Sequence, residues 1–178
     1  MKNLLFTLIL ISSVFVYAVP QSGNTLSTYY YYELIKLDKK MLENRYEEVE
    51  ADFLDLLNDE FESRSYNHAV ILKKYAFFLI TQDRADEGLS FLKAALNKRA
   101  LEAIDTHNIM YVIAQISASK GNYQEAIDYL LEWKELGTNR RFPLNPKGIA
   151  LIGISYAQLE DYKNAIFYIT DAIDRSNY

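Results

Sequence analysis

Apolar and polar positions follow an α-helical period along most of this chain. Apolar residues recur at i, i+3, i+4 and i+7, plainly so between Ile109 and Ile116, which places them on one helix face. The pattern predicts eight helices in four pairs, joined by turn residues such as Lys120-Gly121-Asn122. The predicted bounds are Thr28–Leu42 with Tyr46–Leu57, Asn67–Thr81 with Ala85–Asn97, Thr106–Ser119 with Tyr123–Leu136, and Pro146–Leu159 with Tyr162–Arg175.

One spacing pattern occurs four times, at intervals of 39, 38 and 39 residues. The clearest copies have a Tyr three positions before a small residue, as in Tyr123 before Ala126 and Tyr162 before Ala165. The corresponding pairs are Ala85 before Gly88 and Tyr46 before Val49. Self-similarity at this period is typical of stacked helical hairpins, which bury their apolar faces against one another and bind other proteins.

The small residue in each second helix predicts a close approach to the first helix of the same pair. Gly88, Ala126 and Ala165 each have a small residue twelve positions earlier, namely Ala76, Ala114 and Gly153. Apolar residues four positions later are predicted to pack onto the next repeat. These are Phe53, Leu92, Leu130 and Ile169.

The first residues predict export of the chain. Lys2, an apolar stretch from Leu4 to Val16 and the small-x-small site Val16-Tyr17-Ala18 indicate a secretory signal peptide over residues 1–18. Residues 19–27 form a linker, and 28–178 the repeat domain. A cleaved signal predicts a periplasmic protein that meets the membrane only indirectly. Retention of the segment as an inner-membrane anchor is the alternative.

Composition narrows the chemistry. The chain has no cysteine, which excludes disulfides, thiolate catalysis and Cys-based zinc sites. His68 and His107 are two ligands at most, fewer than a metal site requires, and no phosphate loop or catalytic motif occurs. We therefore expect no enzyme activity, metal or cofactor.

The charge is negative and uneven. Without Lys2, 18 basic and 24 acidic residues leave a net charge of −6, and no basic stripe predicts nucleic-acid binding. Nine acids against Arg45 alone give the segment Glu43–Glu62 a local charge of −8. Two interpretations stand: a solvated helix face, or a docking surface for a basic partner.

The repeat resembles the tetratricopeptide repeat over about residues 30 to 178, in the Tyr–small spacing and the paired small residues given above. The resemblance implies an all-α, right-handed α-solenoid of about four such hairpins. Two departures are a longer period than the family's and the absence of its Pro at each repeat end. The runs GNYQEAIDYLLEW and SYAQLEDYKNA resemble periplasmic repeat proteins that accompany TonB-type energy-transduction systems of gammaproteobacteria. This implies a non-enzymatic adaptor or scaffold in the bacterial cell envelope.

In repeats of this kind the first helices line a concave groove, which implies a binding site for an extended or helical peptide of an envelope protein. Packing between neighbouring helices is the alternative role for the same positions. The implied partner-binding residues are Tyr31, Asp38, Lys73, Phe77, Asn108, Tyr111, Gln115, Lys147 and Ile154, interspersed with Leu34, Val70 and Ala150.

Both ends of the array are expected to be atypical. Four successive tyrosines, Tyr29 to Tyr32, sweep around a helix, so at least one is expected to be exposed. At the other end, no capping helix is predicted after the eighth, over Phe167, Tyr168 and Ile169. Because solenoids usually need a polar cap, we expect self-association or a partner there. A self-associating structural subunit of an envelope assembly is therefore the alternative function.

Overall fold

The computed structural model describes residues 25–58 and 66–176, in which every regular element is an α-helix. The signal segment, most of the linker and the acids Asp59, Glu60 and Glu62 lie outside the described residues. The helices are α1 (Thr28–Leu42), α2 (Tyr46–Leu57), α3 (Tyr66–Thr81), α4 (Ala85–Asn97), α5 (Ala103–Ser119), α6 (Tyr123–Arg140), α7 (Pro146–Gln158) and α8 (Tyr162–Ser176). They confirm the all-α fold of helical hairpins.

The predicted helix bounds differ from the observed ones by more than a residue at two ends. Helix α5 begins three residues early, at Ala103, because its first turn follows no apolar period and instead places Asp105 beside Lys73. Helix α6 continues past Leu136 to Arg140, and Arg141 ends it in the left-handed conformation with φ 58°. The extra turn buries Gly137, where an added Cβ would lie 2.5 Å from Leu144 and 2.8 Å from His107 Nε2.

The hairpin turns repeat with the period of the sequence. Each contains one residue of left-handed backbone, and these residues are Asn44, Asp83, Gly121 and Glu160. The N–H of the next residue donates to the carbonyl five residues before it, at 2.9 to 3.0 Å in all four turns. This Schellman geometry satisfies carbonyls at the end of each first helix and reverses the chain.

The small residues let the two helices of a hairpin touch. A Cβ on Gly88 would lie 2.8 Å from the carbonyl oxygen of Ala76, and one on Gly153 would lie 2.9 Å from that of Ala165. Ala114 and Ala126 are fully buried in the third hairpin. The predicted close approach is confirmed.

The hairpins are connected through two sets of helices. Salt bridges join the first helices: Lys74 to Asp38 at 3.0 Å between α3 and α1, and Lys73 to Asp105 at 2.8 Å between α3 and α5. Others join the second helices, such as Lys93 to Glu125 at 2.6 Å between α4 and α6. First helices thus neighbour first helices, and second neighbour second, giving a two-layer array.

The apolar core runs through the array between successive repeats. Phe53, Leu92 and Leu130 are completely buried, as predicted for residues that pack onto the next repeat. Phe53 of α2, for example, lies against the rings of Tyr75 and Phe78 on α3, with centroids 5.3 and 5.8 Å away. Ile169, the equivalent residue of α8, remains 38% exposed because no described helix follows it.

Candidate functional site

All nine predicted partner-binding residues lie on the first helices, but their accessibility differs. Asn108, Lys147 and Ile154 are exposed. Tyr31, Asp38, Phe77, Tyr111 and Gln115 are partly buried, and Lys73 is buried. The accessible part of the predicted groove is therefore concentrated on α5 and α7.

Lys73 belongs to the interior of the array. Its Nζ lies 2.8 Å from Asp105 Oδ2, and the side chains are 8% and 20% exposed. Burial lowers the pKa of the Lys73 ammonium, while Asp105 acts in the opposite direction. The ammonium of Lys73, paired with Asp105, holds α3 against α5. Of the two predicted groove lysines, only Lys147 is exposed.

Asp38 and Phe77 also have partners within the array. Asp38 accepts hydrogen bonds from Lys74 Nζ at 3.0 and 3.1 Å. Phe77 packs against the apolar cluster that contains Leu72, Ala76 and Ile109. At these positions the alternative role, packing between neighbouring helices, accounts for most of the side chain.

Tyr111 connects α5 to α7. Its ring stacks on that of Trp133 with centroids 5.4 Å apart, and a Cβ on Gly148 would lie 3.0 Å from its Cε2 atom. Burial raises the pKa of the Tyr111 hydroxyl. Because of this contact, α5, which carries Asn108 and Gln115, adjoins α7, which carries Lys147 and Ile154. We call the side chains of Asn108, Tyr111, Gln115, Lys147 and Ile154 the α5–α7 surface.

The histidines take part in packing. His107 stacks on Trp133 with centroids 5.2 Å apart and meets Phe142 edge-on at 5.3 Å. His68 is buried at the start of α3, with Nε2 3.3 Å from the carbonyl oxygen of Leu57. Within residues 25–58 and 66–176, no group of three or more His, Asp or Glu side chains is arranged to hold a metal ion.

Much of the described acidic segment is paired. Lys40 contacts Asp52 at 2.6 Å, Arg45 contacts Glu43 at 2.9 Å, and Arg84 contacts Glu50 at 2.7 Å. Glu48 also contacts Lys40 and Arg45. Three of the five acids of α2 therefore have a salt bridge to another described residue. The two that do not are Glu47 and Asp55.

The outer face of α8 is apolar and exposed. Tyr162, Ile166, Ile169 and Ile173 have exposed fractions of 62, 67, 38 and 55%, and Phe167 beside them 59%. We call Tyr162, Ile166, Ile169 and Ile173, which recur at helical spacing along one side of α8, the α8 face; Phe167 lies about 100° further round the helix than Ile166. Tyr168, expected on the same side, instead stacks on Tyr156 with centroids 5.7 Å apart. The sequence expectation missed Ile166 and Ile173, although their repeat positions and helical spacing were a signal for them.

The exposed tyrosines at the other end agree with the prediction. Tyr29 and Tyr32 are mostly exposed, whereas Tyr30 is buried at 2% and Tyr31 is intermediate. The four rings therefore point to different sides of α1, as the helical period requires.

The fold and its contacts define an all-α repeat protein of stacked helical hairpins. No protein-family model matches the chain, and no curated protein is significantly similar to it. Among the described residues, no helix combines the length and the hydropathy needed to cross a bilayer.

Proposed function

We propose that this protein is a non-enzymatic interaction scaffold of the bacterial cell envelope. It binds an extended peptide segment of another envelope protein on the α5–α7 surface. The observation that carries the proposal is the Tyr111 contact with Trp133 and Gly148, because it joins two first helices whose exposed side chains are suited to peptide recognition.

The chemistry of this surface defines the ligand. The amides of Asn108 and Gln115 both donate and accept hydrogen bonds, which suits the alternating N–H and C=O groups of an extended backbone. Lys147 adds an exposed positive charge and Ile154 an exposed apolar contact. A peptide with an acidic and an apolar side chain at neighbouring accessible positions satisfies both.

The envelope location and a role beside a TonB-type system are part of the same proposal. They are supported by the signal-like segment of residues 1–18 and by the resemblance of the third and fourth repeats to periplasmic repeat proteins. A component of the TonB machinery is accordingly the first partner to assay.

Site-specific photocrosslinking in the envelope tests this function. A photoreactive residue at Asn108 or Ile154 is expected to form one discrete adduct, identified by mass spectrometry. The same residue at Gln124, exposed on α6 in the other layer, serves as the matched control. An adduct of equal yield from Gln124 would contradict binding on the α5–α7 surface.

Substitutions then show whether the adduct reports recognition. Replacing both amides, in Asn108→Ala/Gln115→Ala, is expected to weaken binding of the crosslinked partner at least tenfold, since a lost hydrogen bond costs about 1 kcal/mol. The variant Lys73→Glu would be a poor test because it places two acids at a buried ion pair with Asp105.

The α8 face favours a second candidate function, a self-associating structural subunit of an envelope assembly. Five largely apolar side chains are exposed on this one helix, and an apolar patch of this kind often marks a site of protein–protein contact. Light scattering of the purified chain after size-exclusion chromatography measures this directly. A monomer at high micromolar concentration would exclude it.

A further inference from the structure

The two central positions of the α8 face, Ile166 and Ile169, are buried in the earlier repeats. Ile127 and Leu130 of α6 stand 39 residues before Ile166 and Ile169 and are 1% and 0% exposed. Leu89 and Leu92 of α4 are equally buried one repeat earlier. In those repeats the following hairpin covers the residues, through contacts of α4 with α5 and of α6 with α7. The α8 face therefore has the composition of a helix-docking surface.

The size of this face suits a protein interface. Its four side chains are 38 to 67% exposed, which leaves on the order of a few hundred Å² of mostly apolar surface in water, within the range for the largest patch on a monomer. A stable interface buries about 800 Å² on each partner. The exposed flanks of α8 and Leu159, the residue that follows α7, are available to supply the remainder.

We infer that the α8 face binds the α8 face of a second copy, with the two helices antiparallel about a twofold axis. The inference deepens the second candidate function and rests on it. Along the stripe Tyr162, Ile166, Ile169, Ile173 the intervals are four, three and four residues, which read the same in both directions. An antiparallel copy therefore places Ile166 against the second copy's Ile169, and Tyr162 against its Ile173.

Charges beside the stripe agree with this arrangement. Lys163 and Asp174 are exposed, eleven residues apart, and thus on the same flank of α8. Neither forms a salt bridge with another described residue. In the antiparallel pair the Lys163 of each copy lies near the second copy's Asp174, which gives two symmetry-related ion pairs.

The head-to-tail alternative is less compatible with the charges of α1. There the α8 face would receive the outer face of the second copy's α1, as if it were the next repeat. That face carries Lys36, which pairs with Glu33 at 2.6 Å within α1, and Lys39, which pairs at 4.0 Å with Glu43 just after the helix. Burying these groups against isoleucines would desolvate charged pairs without compensation.

Sedimentation equilibrium of the purified full chain tests the inference, with circular dichroism to confirm folding of each variant. The wild type is expected to be a dimer that does not grow further with concentration. Ile166→Glu is expected to weaken dimerisation at least a hundredfold. The matched control is Ile35→Glu, which changes an exposed isoleucine on α1, at the opposite end of the array. It is expected to leave the dimer unchanged.

Charge reversal tests the antiparallel geometry. Lys163→Asp and Asp174→Lys are each expected to weaken the dimer about tenfold or more, because each places like charges opposite each other. The double variant Lys163→Asp/Asp174→Lys restores the interaction. Failure of the double variant to recover would overturn the antiparallel arrangement.

Two other outcomes separate this inference from the function on which it rests. A wild type that forms open-ended assemblies, dissociated by Ile35→Glu as well as Ile166→Glu, leaves self-association standing and overturns the twofold dimer. A wild-type monomer at high micromolar concentration overturns both. Neither result bears on the α5–α7 surface, which crosslinking tests separately.

Discussion

Lys73 and Asp105 form a largely buried ion pair between α3 and α5, with Nζ and Oδ2 2.8 Å apart. The two residues are 32 positions apart, in the second and third hairpins. The pair occurs on the side of the array where a binding groove was expected. It couples adjacent repeats in addition to the apolar core between them.

Removing one member of this pair should cost more stability than removing both. Lys73→Met leaves the Asp105 carboxylate without its partner, and because that side chain keeps some contact with water we expect a loss of about 2–3 kcal/mol in the free energy of unfolding. The double variant Lys73→Met/Asp105→Asn is expected to recover part of the loss. Urea denaturation of the wild type, Lys73→Met, Asp105→Asn and the double variant measures the coupling, and strictly additive effects would contradict it.

At the turn residues with left-handed backbone, replacing glycine by alanine should lower stability, whereas introducing glycine should raise it. Gly121→Ala is expected to destabilise by about 1 kcal/mol, since its φ of 81° is strained for a residue with a Cβ. Glu160→Gly, with φ 63° in the wild type, is expected to stabilise by about 0.5 kcal/mol. Asn44→Gly is the control, and should change little because Asn tolerates this conformation. Thermal unfolding measures all three.

The contact between α7 and α8 leaves no room for a methyl group at Gly153. Its Cβ would lie 2.9 Å from the carbonyl oxygen of Ala165 and 2.7 Å from Ile169. We expect Gly153→Ala to lose about 1–3 kcal/mol in unfolding free energy, despite the helix propensity of Ala, which favours it by about 1 kcal/mol. Glu135→Ala, at an exposed position of α6, is the control. A gain in stability would show that the helices separate at no cost.

His107 predicts a loss of stability at mildly acidic pH. Burial lowers the pKa of His107 in the folded state, because the charged imidazolium would lose its hydration there. The unfolded chain then binds the proton more readily than the folded one. The contribution of neutral His107 to the free energy of unfolding is therefore complete above the unfolded pKa of about 6.5. It is lost as the pH falls below that value.

The measurement for His107 is the difference in unfolding free energy between pH 7.5 and pH 5.0. His107→Gln removes the titrating group, so this difference should shrink relative to the wild type even though the variant is less stable at both values. An unchanged difference would assign the pH dependence to other groups, such as the buried His68 or the paired carboxylates.

The helical pairs were predictable because their information is local. Apolar spacing indicates each helix, and turn residues such as Gly121 or Asp83 indicate where it reverses. The small residues Gly88 and Gly153 indicate where helices touch, since each has a small residue twelve positions away in the partner helix, Ala76 and Ala165. The early start of α5 was missed because its first turn is held by Asp105 and Lys73, a contact between repeats that no local pattern contains.

The predicted groove was only partly informative for the same reason. The groove residues were predicted from their spacing, which identifies one face of a helix but not the neighbour that covers it. Whether Lys73 is available to a partner or neutralised inside the array depends on which acid the neighbouring repeat supplies. Tyr111 likewise depends on Trp133 and Gly148, which follow it by 22 and 37 residues.

The sequence by itself determined where the helices of the described residues lie, how they pair and where they approach, because these depend on periodicities within a few turns. Tertiary structure decided which side chains of each face remain accessible. Leu130 and Ile169 have the same place in their repeats, yet only Leu130 is fully buried. Burial depends on the neighbour that covers a face, and residues far along the chain supply that neighbour.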